Sequence, residues 1–310
     1  LEPLAPAFNL FGDSGTIVGG SILVCPRHAK SVTNTIQISG KLYTKGSGPG
    51  QNSGLGKGAT PQTGGHAAGG GGHGGVGGRG VWIDVNLNRT EYSNGGIVYD
   101  VNATAAHLPD HVGSGGGGGD GGGWAGGGII AMRARDLILQ SSQSNPKSAG
   151  YSPNIDVRGA DALVRTSGGG GSGGTVVIST KYLHGNGVID ARGGKGGSVP
   201  HPDVHTSAPA KGDGGSGGGG GGGGVVWFDW QGGDAAAAAR DFVSSGPGVT
   251  AGTVLLDGGE GGHSRSTESL NATALTGAST TGALAIRDAV EIPRRVSVYP
   301  FQPLNRNGAR

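Results

Sequence analysis

The sequence predicts an all-β protein of glycine-rich repeats, a parallel β-solenoid in which glycine-rich loops stack beside the strands. Six short alternating strands recur at intervals of 45, 48, 47, 49 and 59 residues. Their first core-type residues are Ile36, Val81, Ile129, Val176, Val225 and Leu284. Glycine runs end just ahead of four of these strands, and such a fixed period is typical of stacked repeats. A β-sandwich is the alternative, because a repeat of this length also accommodates a hairpin.

A second strand follows the first in most repeats, in segments 41–46, 96–102, 154–159, 187–194 and 252–259. Each repeat therefore reads as strand, polar connection, strand and glycine-rich return. Strands this short cannot bury a face alone, so stacked repeats would build one narrow core. The predicted core positions are Ile36, Ile38, Val81, Ile83, Val85, Val176, Ile178, Ile189, Ala191, Val254, Leu256, Leu284 and Ile286.

The glycine runs need partners if they are to be ordered. Glycine makes up 73 of the 310 residues, and ordering each one costs roughly 1–2 kcal/mol of backbone entropy. Runs such as 113–128 and 212–224 can be ordered only if their amides find acceptors. We expect neighbouring runs to bond to one another as extended, polyproline-II-like segments.

The repeats divide the chain into three parts. Residues 35–289 form the repeat domain, 1–34 an N-terminal edge segment, and 290–310 an extended tail. Neither end resembles the polar cap of a monomeric solenoid. The tail is predicted to add as a strand to an adjacent molecule through Val296, Val298, Tyr299 and Phe301. A head-to-tail contact of this kind does not close on itself and generates a filament.

Composition excludes several classes of function. The net charge is +2 without a basic stripe, which argues against a nucleic-acid partner. No apolar run approaches the roughly 20 residues of a membrane span. Cys25 is the only cysteine, so internal disulfides are excluded. Three N-glycosylation sequons, at Asn88, Asn102 and Asn271, favour a secreted, extracellular protein that carries N-linked glycans.

Aspartate and tryptophan recur with the strands. Trp82 and Trp227 each stand two residues before an aspartate, Asp84 and Asp229, so each pair shares a strand face. Such a face could stack on sugar rings. Arginines close to several strand aspartates predict an outward Asp–Arg surface. A calcium ladder is the sharper alternative, but Gly122 stands where the calcium-binding repeat requires an apolar residue, and we expect no metal or other cofactor.

Catalytic motifs are present only as fragments. GDSG at 12–15 and TAAH at 104–107 resemble the serine and histidine motifs of chymotrypsin-like proteases, but their order is reversed. Thr16 replaces the usual second glycine and Leu108 the usual cysteine. We therefore expect no enzyme. A parallel β-helix polysaccharide-degrading enzyme is the third interpretation, without a carboxylate pair that stands out for acid–base work.

The clearest repeat is GGGGSGGTVVISTKYLHGNGVIDARGGKGG, residues 168–197. It resembles the glycine-rich β-repeats of large secreted or cell-surface proteins of bacteria and protists, and the resemblance extends over about residues 35–262. It implies an extracellular structural or adhesive role and no catalytic residue. We expect a self-assembling subunit of a glycosylated fibril or surface layer. The alternative is a carbohydrate-binding adhesin module.

Overall fold

The computed structural model describes residues 8–10, 15–16, 21–24, 35–38, 40–61, 67–84, 89–101, 109–119, 122–140, 153–163, 166–199, 213–230, 252–262 and 283–286. Within these segments the regular structure is β-strand alone, which confirms the all-β prediction for this part of the chain. No helix in these segments is long and apolar enough to span a bilayer. The strands are β1 (Phe8–Leu10), β2 (Gly15–Thr16), β3 (Ser21–Val24), β4 (Thr35–Ile38), β5 (Leu42–Tyr43), β6 (Gly80–Asp84), β7 (Arg89–Ser93), β8 (Ile129–Leu139), β9 (Ile155–Asp156), β10 (Thr175–His184), β11 (Val188–Asp190), β12 (Ser198–Val199), β13 (Asp213–Gly217), β14 (Val225–Trp230), β15 (Thr253–Leu255) and β16 (Ala283–Ile286).

The largest sheet is parallel and takes its strands in chain order, β1-β4-β8-β10-β14-β16. The long strand β8 pairs with β10 on one side; on the other it pairs with β3 along its first half and with β4 along its second. Both long strands change the face that they bury at the same level: Met132 and Ile178 point into the core, and so do Leu137 and Leu183 farther along. The pairing register stays the same across this change of face.

A second parallel sheet also follows the chain order, β2-β5-β9-β11-β15. It contains four of the five predicted second strands. Ile155, Ile189 and Val254 lie side by side in adjacent strands of this sheet. The two parallel sheets are consistent with stacked repeats, because in both sheets strands from different repeats lie side by side in chain order.

One repeat departs from the predicted pattern. The strand at 80–84, predicted to join the main sheet, instead forms an antiparallel sheet with β7, β13 and β12. The expected strand at 96–102 is absent over its described part, residues 96–101. There the backbone bonds to glycine runs, with the Gly96 N–H donating to the Gly70 carbonyl. Consequently β4 pairs directly with β8, and the repeat between them contributes no strand to the main sheet.

The apolar core lies between the two parallel sheets. Most predicted core residues are buried or packed against that core. They are Ile36, Ile38, Val176, Ile178, Ile189, Ala191, Val254 and Leu256. Val81 is buried as well, but away from this cluster. Val85 and the side chains of Ile83, Leu284 and Ile286 lie outside the described part of the structure.

Candidate functional site: the glycine bundle

The run 166–174 lies at the centre of a bundle of glycine-rich segments. Its successive N–H groups donate to three different neighbouring runs in strict rotation, at N···O distances of 2.7–3.1 Å. The donor–acceptor pairs are Gly169–Gly117, Gly170–Gly219, Gly171–Ala160, Ser172–Ser114, Gly173–Gly222 and Gly174–Val157. A repeat of three residues per turn is the geometry of the polyproline II helix. This run is the glycine-rich equivalent, a polyglycine II helix.

The carbonyl groups of the same run accept in the same rotation from three further runs. The acceptor–donor pairs are Ser167–Ala68, Gly168–Gly197, Gly169–Trp124, Gly170–Gly71, Gly171–Gly194 and Ser172–Gly127. The central run therefore has six neighbours and is hexagonally packed. The backbone groups that this run would otherwise leave unsatisfied are bonded to backbone, which is what allows a segment without apolar side chains to be buried.

Close approach of the backbones explains why these positions are glycine. A Cβ atom at Gly171 would overlap the carbonyl group of Ala125, and one at Gly173 would overlap that of Ala191. The exposed Gly50 is different, since a Cβ there meets nothing within 4 Å. The expectation that glycine runs bond to one another is thus met in the described part of the bundle.

Side chains on the bundle surface recur every third residue, as a threefold helix requires. Lys195 follows Arg192, Glu260 follows Asp257 and Arg79 follows Val76, each with two glycines between them. All but the half-buried Arg192 are exposed. The triplets in RGGKGG, DGGEGG and VGGRG are a sequence signal of the polyglycine II helix, and sequence reasoning missed it.

Charged side chains link neighbouring runs on this surface. Lys45 pairs with Asp161 at 3.0 Å and Lys195 with Glu260 at 2.8 Å. Asp161 also accepts the backbone N–H of Lys195 at 2.9 Å. Burial acts to raise the pKa of Asp161, but the hydrogen bonds from Lys195 and Lys45 outweigh it and hold this pKa below its usual value.

Two aspartates where the second sheet meets the bundle correct the prediction of an outward Asp–Arg surface. The Asp156 and Asp190 side chains are fully buried, and each binds the arginine two residues later through two hydrogen bonds of 2.7–2.9 Å. Lys41 adds an ion pair to Asp156 at 3.0 Å. Burial acts to raise the pKa of Asp156, but Arg158 and Lys41 outweigh it and the pKa is lowered. Strand alternation places both aspartates on the face opposite the core residues Ile155 and Ile189, where the arginine and lysine side chains pair with them.

A buried histidine marks the turn between the runs 67–73 and 75–80. The Nδ1 atom of His73 lies 2.8 Å from the Gly173 carbonyl oxygen, which can only accept, so Nδ1 carries a proton. Its Nε2 atom lies 3.3 Å from Thr175 Oγ1 and 3.6 Å from Asp100 Oδ2. The ring packs against Tyr99 at 4.6 Å between centroids. His73 therefore fixes one bundle turn to the start of β10.

Asp100, Asp110 and His111 are the described residues whose ligand atoms converge closely enough to hold a metal ion. His111 Nδ1 lies 2.7 Å from Asp100 Oδ1 and 3.1 Å from Asp110 Oδ1. Burial acts to raise the pKa of Asp100, but hydrogen bonds from His73 and His111 outweigh it and lower this pKa. The short contacts between His111 and the two carboxylates already account for the cluster. Sequence reasoning did not predict this cluster, because it assigned Asp100 to a strand and gave no role to Asp110 and His111.

The structure does not bring the predicted sugar-facing residues together. Trp82 and Asp84 lie on β6 in the antiparallel sheet, whereas Trp227 and Asp229 lie on β14 in the main sheet. Trp227 is only 6% exposed, so its indole is not available to a sugar at the surface. Trp82 is half-buried. The side chains of the two aspartates lie outside the description.

The remaining predicted sites fall on residues that the structure does not describe. They are the sequons at Asn88, Asn102 and Asn271 and the tail residues Val296, Val298, Tyr299 and Phe301. These assignments stay predictions.

Comparison of the chain with protein-family models, with curated proteins and with solved structures found no match. The resemblance to glycine-rich β-repeat proteins is therefore a prediction from the sequence.

Proposed function

We propose that this protein is a structural subunit that is secreted and assembles head to tail into an extracellular fibril or surface layer. The observation that carries this proposal is the common polarity of the two parallel sheets. Both follow the chain order, so β1 and β2 lie at one end and β15 and β16 at the other. The molecule thus has two chemically different ends that each present strand edges.

The repeats of this subunit form a β-solenoid whose axis runs across the strands of both sheets. Each coil passes through one strand of the second sheet, leaves as a glycine run and returns as another run to the main sheet. The described segments between β9 and β10, which are the runs 157–163 and 166–174, support this path. Within the chain, each coil pairs with the coil before it. In the assembly, the first coil of one subunit would pair in the same way with the last coil of the next subunit.

Exposed strand edges favour association between molecules. Among the described strands, none covers the outer sides of β1, β2, β15 and β16. Natural monomeric proteins protect such edges because unpaired backbone groups recruit further strands. A contact between unlike ends does not close, so it generates a filament. The tail at 290–310 would contribute a strand across this contact, and glycans at Asn88, Asn102 and Asn271 would limit lateral aggregation.

The described carboxylates support a structural role over polysaccharide degradation. Asp156 and Asp190 are each engaged by an arginine through two hydrogen bonds. Burial acts to raise the pKa of Asp156, but Arg158 and Lys41 outweigh it and the pKa is lowered, so this carboxyl is a poor general acid. The alternative of a carbohydrate-binding adhesin module rests on Trp82, which remains half-buried and so keeps part of its indole accessible.

Electron microscopy of the purified chain, combined with sedimentation velocity across a concentration range, tests the proposal. We expect filaments whose axial repeat equals one subunit and a critical concentration for their formation. Monomers at all concentrations would contradict it. Monomers that bind glycans through a Trp82-dependent site would establish the adhesin alternative.

A further inference from the structure

The glycine runs that follow the second sheet donate hydrogen bonds in one direction, from each coil to the next. Ile155 and Ile189 occupy equivalent positions in adjacent strands. Four and seven residues after Ile155, the N–H groups of Gly159 and Ala162 donate to the following run, at Arg192 (3.0 Å) and Lys195 (2.8 Å).

The next coil repeats this pattern at the same positions. Four and seven residues after Ile189, the N–H groups of Gly193 and Gly196 donate onward to Asp257 (3.0 Å) and Glu260 (2.8 Å). Two donors three residues apart, facing the next coil, are therefore a regular feature of the repeat.

The run 257–262 is the last of these runs that the structure describes, and its forward donors have no acceptor among the described residues. Val254 occupies the position of Ile189, so the equivalent donors are Gly258 and Gly261. Neither N–H makes a hydrogen bond within the described structure, whereas Gly259 and Gly262 donate back into the bundle at 2.7 Å. Gly258 and Gly261 are half-buried, as is β15, while the equivalent strand β11 is fully buried.

We infer that the Gly258 and Gly261 N–H groups, together with the edge of β15, are the surface on which a second copy of this chain docks. This inference rests on the proposed function and names the interface that it requires. The complementary surface must present two backbone carbonyls about 9 Å apart, the rise of three residues of a polyproline II helix. Among the described runs, the half-buried run 45–49 comes first in this order, since its Gly46 N–H donates onward to Arg158 at 3.0 Å, and it is the corresponding face of the second copy.

A pair of proline substitutions removes these donors without adding charge. Gly258→Pro with Gly261→Pro deletes both N–H groups, and the φ angle of proline suits a polyproline II helix. Pro49 already stands in a run of this bundle. We expect the critical concentration for assembly to rise about tenfold or more, since each lost hydrogen bond has a net effect of severalfold.

The matched control is Glu260→Ala, which changes the same run but keeps every N–H. We expect its critical concentration to stay within about twofold of wild type.

The outcomes separate the inference from the proposed function. If the wild-type chain fails to assemble, the proposed function fails. If the wild type assembles and the folded proline variant, checked by far-UV circular dichroism, assembles equally well, the inference alone is wrong.

Hydrogen exchange tests the same surface without a substitution. Below the critical concentration, the amides of Gly258 and Gly261 should exchange fast while those of Gly259 and Gly262 are protected. In the polymer all four should be protected. Fast exchange of Gly258 and Gly261 in the polymer would overturn the inference even if the proline variant did not fold.

Discussion

The apolar core between the sheets and the glycine bundle beside it are packed by opposite means. In the core, side chains such as Ile178 and Phe228 fill the space between the two parallel sheets and are fully buried. In the bundle, backbones approach so closely that no Cβ atom fits at positions such as Gly171. Burial of apolar area stabilises the first region, and satisfied backbone hydrogen bonds permit the second. The core should therefore be sensitive to smaller side chains and the bundle to larger ones.

The largest effect is expected from adding one methyl group at the centre of the bundle. Gly171→Ala places a Cβ atom against the Ala125 carbonyl. To relieve the overlap, two runs must separate, which breaks several inter-run hydrogen bonds, and we expect a loss of about 4 kcal/mol in the free energy of unfolding. Denaturant unfolding measures this loss. Gly50→Ala is the matched control, because its Cβ meets nothing within 4 Å, and it should change stability by less than about 0.5 kcal/mol. Equal effects of the two substitutions would refute the close-packed bundle.

The next largest effect is expected from shortening a core side chain. Ile178 is fully buried and lies beside Met132 and Phe228 in adjacent strands. Ile178→Ala should cost about 3 kcal/mol through lost apolar contact and the cavity that remains, whereas Ile178→Val should cost about 1 kcal/mol. The same unfolding experiment checks both values. Insensitivity to Ile178→Ala would show that the sheets lack a well-packed core.

The contrast also explains how much of the molecule the sequence could predict. The strands of both parallel sheets from β4 onward and core positions such as Ile36 and Ile189 follow from period-2 alternation at a fixed spacing, and the structure agrees. The strands β1, β2 and β3 lie in the N-terminal segment, which was not predicted as part of the repeats. Hydrogen bonding between glycine runs could also be predicted, because leaving their amides without partners is costly. The six neighbours of run 166–174 did not follow, because every glycine offers the same donor and acceptor and local sequence does not specify partners.

The prediction for the repeat at 80–101 was wrong for a related reason. Its apolar residues alternate as in the other repeats, but the segment around Gly96 and Tyr99 bonds to glycine runs that are distant in sequence. Local periodicity carries no information about such competition. His73 was overlooked for the same reason, since its burial depends on contacts with Gly173 and Thr175, about a hundred residues away.

Acid should lower the free energy of unfolding through Asp156, which lies where the second sheet meets the bundle. Its pKa is lowered in the folded state, so the unfolded chain binds the proton at higher pH than the native protein does. The resulting stabilisation is present above the ordinary carboxyl pKa of about 3.9 and is lost as the pH falls below it. Asp100 and Asp161, whose pKa values are also lowered, act in the same direction. Unfolding free energies measured between pH 3 and pH 7 should fall towards acid.

Asp156→Asn isolates the part of this acid effect that belongs to Asp156. Because the variant lacks the titrating group, its stability should depend less steeply on pH below about 4. An unchanged slope would show that the Arg158–Asp156 pair does not contribute to the acid response.

The smallest effect is expected on the outer surface of the bundle, where the side chains leave the packed interior. Lys195 pairs with Glu260 at 2.8 Å, but both side chains are more than half exposed. Lys195→Ala should lower the free energy of unfolding by less than about 1 kcal/mol, because solvent and salt screen exposed ion pairs. The backbone of Lys195 keeps its bond to Asp161 in this variant, so the run stays in place. A loss as large as that of Gly171→Ala would mean that surface charge, and not the backbone network, holds the runs together.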